Sequence, residues 1–298
     1  MRIGLTGATG FIGQQLLKEY GDSHTFVAAT SRADVDSFYE HPNIRYVRSD
    51  YSVDSYRSIF AGCDCIVHLG AKRFSAENEK RFINYIENIT ASECLFEAAC
   101  SLGIKNIVNI STISVYNPFQ ELPYKEAQAH PFNRYGISKL CIEELAGLYN
   151  RKSDMHIKSL RLAQVIGLGE RGGYLLAVYL ERSIGGQTLD VFGLGASAKE
   201  YIYIKDVTAA IMCACLKETL GGSFNIGTGT ATTNLQLAQA FCSVFSNQGG
   251  FKLQPEKPED GLVYCMDVSH AKEALGFTAE YGLYDALCDM KRELEEKK

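Results

Sequence analysis

The sequence predicts an α/β protein with a doubly wound parallel sheet and a smaller, interleaved C-terminal α/β lobe. Short apolar runs of strand length alternate with segments of helical periodicity through the first half of the chain. A glycine-rich turn, Gly7-Ala-Thr-Gly10-Phe-Ile-Gly13, follows the first of these runs. The chain has 298 residues, of which 46% are hydrophobic and 22% charged, so it is long enough for one large core or for two cores that share a cleft.

Six strands are expected in the first half of the chain. They are at residues 2–6, 25–30, 44–47, 65–69, 107–110 and 157–162. The segments between them have the length of helices, and repeated strand–helix–strand units with right-handed crossovers build a parallel sheet. Ligands of such sheets bind beyond the carboxyl ends of the strands, so we expect functional residues directly after each strand.

The second half of the chain is less regular. Residues 167–173 are a glycine-rich stretch, 174–183 a helix-like run and 200–204 an alternating segment. Three further helices are expected at 206–217, 235–245 and 269–275, with a loop at 254–261 and a short charged end at 291–298. We expect residues 1–165, together with a segment near 201–224, to form the larger domain. Residues 166–298 then form the smaller, interleaved lobe.

Charge and cysteine content narrow the function. Thirty basic against thirty-five acidic side chains give a net charge of −5 without a basic stripe, which argues against nucleic acid as a partner. No apolar run approaches the roughly 20 residues that span a bilayer, and the N-terminus lacks a signal-peptide pattern, so we expect a cytoplasmic protein. The ten cysteines include no CxxC pair and are predicted to be reduced core residues, and we expect no metal site.

The glycine-rich turn predicts a dinucleotide site. It lies between an apolar strand and an amphipathic helix, and it has small residues where a turn must be tight and where backbone must approach a pyrophosphate. The spacing is GxxGxxG, one residue longer between the first two glycines than the common dinucleotide pattern. Its position after the first strand favours cofactor binding over a simple strand-to-helix connection, and it makes the larger domain a Rossmann-like dinucleotide-binding domain.

The end of the second strand bears on the choice between NAD and NADP. A free ribose 2′-hydroxyl usually meets an Asp or Glu there, whereas a 2′-phosphate needs a cation. Ser31-Arg32 follows the strand, and Arg32 offers a planar fork suited to phosphate, which favours NADP(H). The alternative is that Asp34 or Asp36 reaches the ribose, which would make NAD(H) the cofactor. Asp50 is expected either to bind the adenine edge or to cap a helix that begins near residue 52.

A second motif predicts proton transfer. Tyr135-Gly-Ile-Ser-Lys139 places both side chains on one face of a helix, and an ammonium beside a phenol favours the phenolate. The same spacing recurs in Tyr201-Ile-Tyr-Ile-Lys205, but its strict alternation predicts a strand, in which four residues separate the two groups by about 13 Å. Tyr135 and Lys139 follow a strand that ends near Thr112, whose hydroxyl could bond the same substrate oxygen.

The chain resembles the extended short-chain dehydrogenase/reductases that act on nucleotide sugars. The resemblance covers nearly the whole chain, and several motifs in order are more specific than any one of them. These motifs are Gly7 to Gly13, His68-Leu-Gly-Ala71, Asn88-Ile-Thr-Ala-Ser-Glu-Cys-Leu, Ser111-Thr112-Ile-Ser-Val-Tyr116, Tyr135 to Lys139, Leu160-Arg161 to Gly169, Tyr201 to Val207, and Phe224-Asn-Ile-Gly-Thr-Gly229.

The resemblance implies a role for each motif. Tyr135 would be the catalytic acid/base, Lys139 would lower its pKa and hold the nicotinamide ribose, and Thr112 would orient the sugar hydroxyl or ketone. The cofactor would contact Gly7, Thr9, Gly10, Phe11, Ile12, Gly13, Ser31, Arg32, Asp50, Tyr51, Leu69, Gly70, Ala71, Asn88, Tyr135 and Lys139. The nucleoside-diphosphate sugar would contact Arg73, Thr112, Gln164, Lys199 and Lys257.

Departures from the family pattern restrict the reaction. The family's dehydratases carry an Asp-Glu pair after the position of Thr112, where this chain has Ile113-Ser114, so a dehydratase is disfavoured. Gln164 stands where relatives carry Asn, and Lys199 and Lys257 stand where arginines commonly hold the diphosphate. Lysine neutralises phosphate as a point charge, without the bidentate fork of arginine.

Three functions are therefore compared. An NADPH-dependent reductase of a 4-keto-(deoxy)hexose is favoured slightly, on the ground of Arg32. A 4-epimerase with tightly bound NAD fits the family pattern equally well. A non-catalytic dinucleotide-binding protein would have little reason to keep Thr112, Tyr135 and Lys139 together. A homodimer through segments 91–102 and 135–149 is a further expectation.

Overall fold

The computed structural model describes residues 1–32, 39–170 and 175–296. Strands and helices alternate through the first half as the sequence predicts. Their bounds are β1 Arg2–Thr6, α1 Phe11–Tyr20, β2 Thr25–Thr30, β3 Ile44–Arg48, α2 Val53–Phe60, β4 Cys65–His68, α3 Ile86–Leu102, β5 Asn106–Thr112, α4 Arg134–Lys152 and β6 His156–Leu162.

The second half adds six strands and four helices within the described residues. They are β7 Gln164–Ile166, α5 Leu175–Ile184, β8 Leu189–Phe192, β9 Ala198–Tyr203, α6 Ile204–Leu216, β10 Gly222–Ile226, β11 Ala231–Thr233, α7 Asn234–Phe245, β12 Phe251–Gln254 and α8 Leu283–Glu295. A π-helical turn, Ala271–Leu275, stands where a helix was expected near 269–275.

The central sheet has seven strands in the order β10-β6-β5-β4-β1-β2-β3, and all of its neighbouring strands are parallel. The strand order reverses direction between β1 and β4, which is the switch point where doubly wound sheets bind ligands. The Rossmann-like α/β fold predicted from the sequence is thus confirmed. The remaining strands form two small sheets, β11-β9-β7 and β12-β8.

Apolar side chains cover both faces of the central sheet. One cluster includes Leu16 of α1 and Ile211 of α6, and the cluster on the other face includes Phe96 of α3 and Ile142 of α4. A third cluster fills the C-terminal part, around Tyr179, Leu237 and further side chains of α5, α7 and α8. Burial on both faces explains why the strands read as nearly continuous apolar runs.

Several details differ from the prediction. Strand β5 extends to Thr112, two residues beyond the expected end, because its whole length pairs with β6. Strand β10 was not predicted, although it forms an edge of the central sheet. Residues 291–295 of the expected charged end belong to α8, whose apolar face packs into the third cluster. The division at residue 165 stays a prediction.

The cysteines are only partly core residues. All ten are free thiols, and Cys63, Cys65 and Cys215 are buried. Cys100 and Cys288 are exposed, so the expectation that every cysteine lies in the core is wrong for these two. Across the described ranges, His, Cys, Asp and Glu form no group of three that could hold a metal ion. None of the helices described is both long and apolar enough to cross a membrane.

Candidate active site

The glycine-rich turn connects β1 to α1 at the switch point of the sheet. Gly7 has a φ of +71°, and a Cβ there would lie 2.8 Å from the backbone nitrogen of Gly70 in the loop after β4. A Cβ on Gly13 would lie only 2.3 Å from the carbonyl oxygen of Gly7. Both positions therefore require glycine. Gly10 is the N-cap of α1 and donates its N–H to the Gly7 carbonyl at 3.0 Å.

This turn has the features of a pyrophosphate cradle. The N-cap of α1 has no side chain to accept bonds from the first helical turn, and that turn carries no acidic residue. Such a helix N-terminus favours an anion through its amides and its dipole. The side chain of Phe11 points away from the turn and packs in the C-terminal cluster, whereas Ile12 packs against the core on the central sheet.

The tip of β2 lies beneath a tyrosine from the loop after β3. The Tyr51 hydroxyl accepts the N–H of Ser31 at 3.1 Å and lies 3.2 Å from its hydroxyl. The N–H of Arg32, an exposed residue, donates to the Thr30 hydroxyl at 3.2 Å. Asp34 and Asp36, the predicted alternatives at the ribose, lie outside the described residues.

Asp50 supports the start of α2. Its carboxylate accepts the backbone N–H of Ser52 at 2.9 Å and the hydroxyl of Ser52 at 2.7 Å. These hydrogen bonds hold the pKa of Asp50 below its usual value. Ser52 is the N-cap of α2, and its hydroxyl accepts the N–H of Ser55 at 3.2 Å. Of the two roles expected for Asp50, the structure has the contacts of the helix cap, and adenine binding stays a prediction.

A buried hydrogen-bond chain links the glycine-rich turn to the loop after β4. The Thr6 hydroxyl accepts the Gly70 N–H at 3.0 Å and lies 2.7 Å from Nδ1 of His68. Nε2 of His68 lies 2.9 Å from the Ser92 hydroxyl, which donates to the Asn88 carbonyl. Burial and the charge of Lys139 lower the pKa of His68 to about 3, so the imidazole is neutral.

Asn88 fastens the same loop from α3. Its side-chain oxygen accepts the N–H of Lys72 at 2.7 Å, and its amide donates to the Lys72 carbonyl at 2.9 Å. Leu69 donates its N–H to the Thr6 carbonyl at 3.2 Å, and the half-buried Ala71 lies between these two anchors. The loop thus has a fixed path beside the glycine-rich turn, as a cofactor-lining segment requires.

The Tyr135–Lys139 pair lies in the first two turns of α4, against the end of β5. Lys139 is buried, and its Nζ donates to the carbonyl oxygen of Ile110 at 2.8 Å. Burial lowers the pKa of Lys139 to about 8, with Glu143 opposing the shift. Thr112 follows Ile110 by two residues, and its hydroxyl accepts the N–H of Ser114 at 3.2 Å.

The first turn of α4 packs tightly on the turn after β5. A Cβ on Gly136 would lie 2.0 Å from the carbonyl oxygen of Ser114. Tyr135 is half-buried, and its ring centroid lies 5.7 Å from that of Tyr85 and 6.4 Å from that of Phe74. The other Tyr-x-x-x-Lys pair is different: Tyr201 lies in β9, while Lys205 lies in α6 and pairs with Asp289 and Glu293.

The expected substrate residues lie on several separate elements. Arg73, in the loop after β4, pairs at 3.3 Å with the buried Glu170, which follows β7. Nζ of Lys257 lies 4.4 Å from the centroid of the Phe192 ring. Gln164 is half-buried at the start of β7, and Lys199 is exposed on the neighbouring strand β9.

Two carboxylates that support α4 were not predicted from the sequence. Glu79 accepts backbone N–H groups at the start of the helix. Glu143 and Arg161 form a buried ion pair at 2.6 Å, with side chains 3% and 4% exposed. Glu143 does lie one turn beyond Lys139 on the same face of α4, which was a usable signal. Nothing local pointed to Glu79, because its partners are 55 and 56 residues away in the chain.

A doubly wound sheet, a glycine-rich turn at its switch point and a Tyr–Lys pair on a neighbouring helix are typical of dinucleotide-binding α/β proteins. Residues 3–227 match the model of the NAD dependent epimerase/dehydratase family, and the chain belongs to that family. The resemblance to extended short-chain dehydrogenase/reductases of nucleotide sugars is thereby confirmed.

Relatives in this family differ in the reaction named for them. The crystal structure of UDP-N-acetylglucosamine 4-epimerase from Bacillus cereus is similar, with a TM-score of 0.88 and 29% identity over 99% of this chain and 96% of that one. dTDP-glucose 4,6-dehydratase of Streptomyces niveus is 26% identical over 97% of this chain and 91% of its own length. dTDP-4-dehydro-6-deoxyglucose reductase of Escherichia coli is 23% identical over 95% of this chain and 94% of its own length.

Proposed function

We propose that the chain is an NAD(P)-dependent oxidoreductase that exchanges hydride at C4 of a nucleoside-diphosphate sugar, with Tyr135 as its acid/base. The observation that carries this proposal is the buried ammonium of Lys139, which donates to the carbonyl of Ile110. Lys139 lies one helical turn after Tyr135, and Ile110 lies two residues before Thr112. A positive charge held there favours the phenolate of Tyr135 and so makes the phenol a better proton donor.

The glycine-rich turn fits a dinucleotide, because Gly7 and Gly13 let it fold tightly against the loop after β4 and against its own backbone, and Gly10 leaves the N-terminus of α1 without a capping side chain. The residues that would hold the pyrophosphate are Gly7, Thr9, Gly10, Phe11, Ile12 and Gly13. Those at the adenosine half are Ser31, Arg32, Asp50 and Tyr51, and those at the nicotinamide half are Leu69, Gly70, Ala71, Asn88, Tyr135 and Lys139. The bound nicotinamide supplies or accepts the hydride.

The protein's own residues then manage the proton. Thr112 donates a hydrogen bond to the sugar oxygen and so fixes its position. Tyr135 gives its phenolic proton to that oxygen as the carbonyl becomes an alcohol, and it takes the proton back in the reverse direction. Lys139 stabilises the phenolate that is left. Arg73, Gln164, Lys199 and Lys257 would bind the sugar nucleotide, whose negative charge the three cations attract.

Among the family's reactions we favour reduction of a 4-keto-(deoxy)hexose by NADPH. The support is Arg32, which follows β2 and is exposed, where a cation suits a 2′-phosphate. The second candidate is 4-epimerisation with tightly bound NAD, which is supported by 29% identity to a solved 4-epimerase over nearly the full length of both chains. Water elimination is disfavoured because Ile113 and Ser114 supply no carboxylate after Thr112. A cytoplasmic location and a homodimer remain predictions.

Assays of the purified protein distinguish these two reactions. A 4-ketoreductase consumes one NADPH per nucleotide-linked 4-ketosugar, whereas a 4-epimerase interconverts UDP-sugars without added cofactor and retains NAD after purification. Tyr135→Phe should lose at least about 100-fold in turnover while dinucleotide affinity persists, since general acid catalysis contributes about that much or more. Tyr284→Phe, on the exposed face of α8, is the matched control. Full activity of Tyr135→Phe would refute the assigned role.

A further inference from the structure

The first turn of α4 has its amides bound by two different side chains. The N–H groups of Arg134 and Tyr135 donate to Oε2 and Oε1 of Glu79, at 3.1 and 2.8 Å. The next N–H, that of Gly136, donates to the side-chain oxygen of the N-cap residue Asn133 at 2.7 Å. The Arg134 guanidinium also donates to the Glu79 carbonyl at 2.9 Å. Glu79 therefore binds the N–H groups of the two helical residues, Arg134 and Tyr135, that the N-cap residue of α4 does not bind.

The physical need for this acceptor follows from the position of Tyr135. The first four N–H groups of a helix lack partners within the helix, and its first turn frays unless they are bound. Tyr135 is the second residue of α4, and the first turn of the helix contains no acidic residue of its own. A carboxylate at this end also interacts favourably with the helix dipole. Glu79 supplies that carboxylate from a separate segment, the 3₁₀ turn Asn78–Lys80.

The same segment also packs against the Tyr135 ring. Phe74 and the fully buried Tyr85 lie on either side of Glu79 in the chain, and both contact Tyr135. Burial, with the Glu79 carboxylate as the second cause, raises the pKa of Tyr85. Residues 74–85 thus bind the backbone of Tyr135 through Glu79 and its ring through two aromatic side chains.

We propose that Glu79 is a positioning residue for Tyr135: by binding the N–H groups of Arg134 and Tyr135, it holds the first turn of α4 so that the phenol stays beside Thr112 and Lys139. This role rests on the proposed function, because it assigns Tyr135 to the proton transfer. Glu79 acts through the helix backbone and is not assigned any contact with substrate. Displacement of a reacting group by about 1 Å can lower a rate 100-fold, so loss of the anchor should affect the chemical step.

The test compares Glu79→Ala and Glu79→Gln with Glu77→Ala. Glu77 lies in the same segment, and its exposed carboxylate pairs with Lys80, so it is a matched control. We expect kcat to fall about tenfold or more in Glu79→Ala, and less in Glu79→Gln, which keeps one acceptor oxygen. Dinucleotide affinity should stay within about twofold, because the glycine-rich turn is untouched. Glu77→Ala should match the wild type.

Hydrogen–deuterium exchange of peptides that cover 133–138 provides a readout independent of turnover. The amides of Arg134 and Tyr135 should exchange faster in both Glu79 variants than in the wild type. Their exchange should be unchanged in the control variant Glu77→Ala. Unchanged exchange would overturn the proposed anchor, and faster exchange with unaltered kcat would overturn its role in positioning. A purely structural role would lower dinucleotide affinity and melting temperature together with kcat. If Glu79→Ala fails to fold, Glu79→Gln decides. Wild-type protein with the expected exchange but no turnover of any nucleotide sugar would instead overturn the proposed function.

Discussion

Glu143→Gln is expected to destabilise the protein strongly, because it leaves the Arg161 guanidinium buried without its counter-charge. Glu143 receives two bonds from Nε of Arg161, at 3.0 and 3.1 Å, and one from Nη2 at 2.6 Å. The hydroxyls of Ser111 and Ser223 donate to the same carboxylate. Nη1 of Arg161 donates to the Tyr116 hydroxyl and to the Glu126 carbonyl, both at 2.8 Å.

The magnitude follows from the burial of this pair. Removing one partner of a buried ion pair costs about 3–5 kcal/mol. At about 2 °C per kcal/mol for a chain of this size, Glu143→Gln should lower the melting temperature by about 6–10 °C. Arg161→Met should cost a similar amount, since it leaves the carboxylate with hydroxyl donors only. The double variant should be more stable than the sum of the single changes by about 2 kcal/mol, because neither charge is then left unpaired.

Thermal and urea unfolding of the two single variants and the double variant measure these terms. Asp154→Asn is the matched control, because Asp154 pairs with Lys105 at 2.5 Å in an exposed ion pair and its φ of +51° suits Asn. It should leave the melting temperature unchanged. Single variants that lose less than about 1 kcal/mol, or that add without coupling, would refute the view that the pair is buried and interdependent.

Two further predictions concern the cofactor cleft. Gly13→Ala should weaken dinucleotide binding at least about tenfold, as measured by fluorescence titration, because the new Cβ would meet the Gly7 carbonyl at 2.3 Å; Gly147→Ala in α4, where the nearest neighbour is the flexible end of Arg151, should bind normally, and equal affinities would contradict the steric argument. His68 has a pKa of about 3 in the folded protein and an ordinary value when unfolded, so stability should fall as pH drops below about 6.5, by about 2 kcal/mol at pH 5 from this group. Urea unfolding of His68→Asn should lack that part of the pH dependence, and parallel curves for the two proteins would show that the imidazole is not held neutral.

The sequence predicts best what depends on neighbours in the chain. Most of the six strands of the first half are recognisable because they are buried on both faces and are bounded by polar or glycine residues, whereas the edge strand β3 has no buried residue. The glycine-rich turn and the Tyr135–Lys139 pair are short-range patterns whose geometry a strand-to-helix turn and a helix dictate. Strand β10 escaped prediction because its five residues, GSFNI, include glycine and asparagine, and its pairing with β6 lies 64 residues away at Gly222 and Lys158.

Helix α8 escaped prediction for a different reason. Its charged residues dominate the composition of 291–298, but Ala286, Leu287 and Met290 recur at helical spacing and are buried. The helix is therefore stabilised by its contact with α7 and the third cluster rather than by a strong local preference. The charged composition of this segment does not indicate a packed helix, whereas the periodicity of its apolar residues does.

The position of α4 depends both on residue spacing within the helix and on contacts with residues that are distant in the chain. Tyr135, Lys139 and Glu143 follow one another at intervals of four residues, so they lie on one face of the helix, as the sequence alone shows. Their anchors come from three different parts of the chain: Glu79 binds the Tyr135 backbone, Ile110 of β5 binds Lys139, and Arg161 of β6 binds Glu143.

These anchors have a function that apolar packing does not supply. Burial of Ile142 and Ala146 attaches α4 to the sheet, but apolar burial is non-directional and tolerates small shifts along the helix axis. Hydrogen bonds and ion pairs weaken steeply when their geometry changes, so three of them on successive turns define where the helix lies along β5. Because Lys139 and Glu143 have anchors of their own, loss of the Glu79 anchor should move Tyr135 more than it moves the ammonium. In the proposed function, the distance between the phenol and the sugar oxygen therefore depends on residues outside the Tyr135–Lys139 motif.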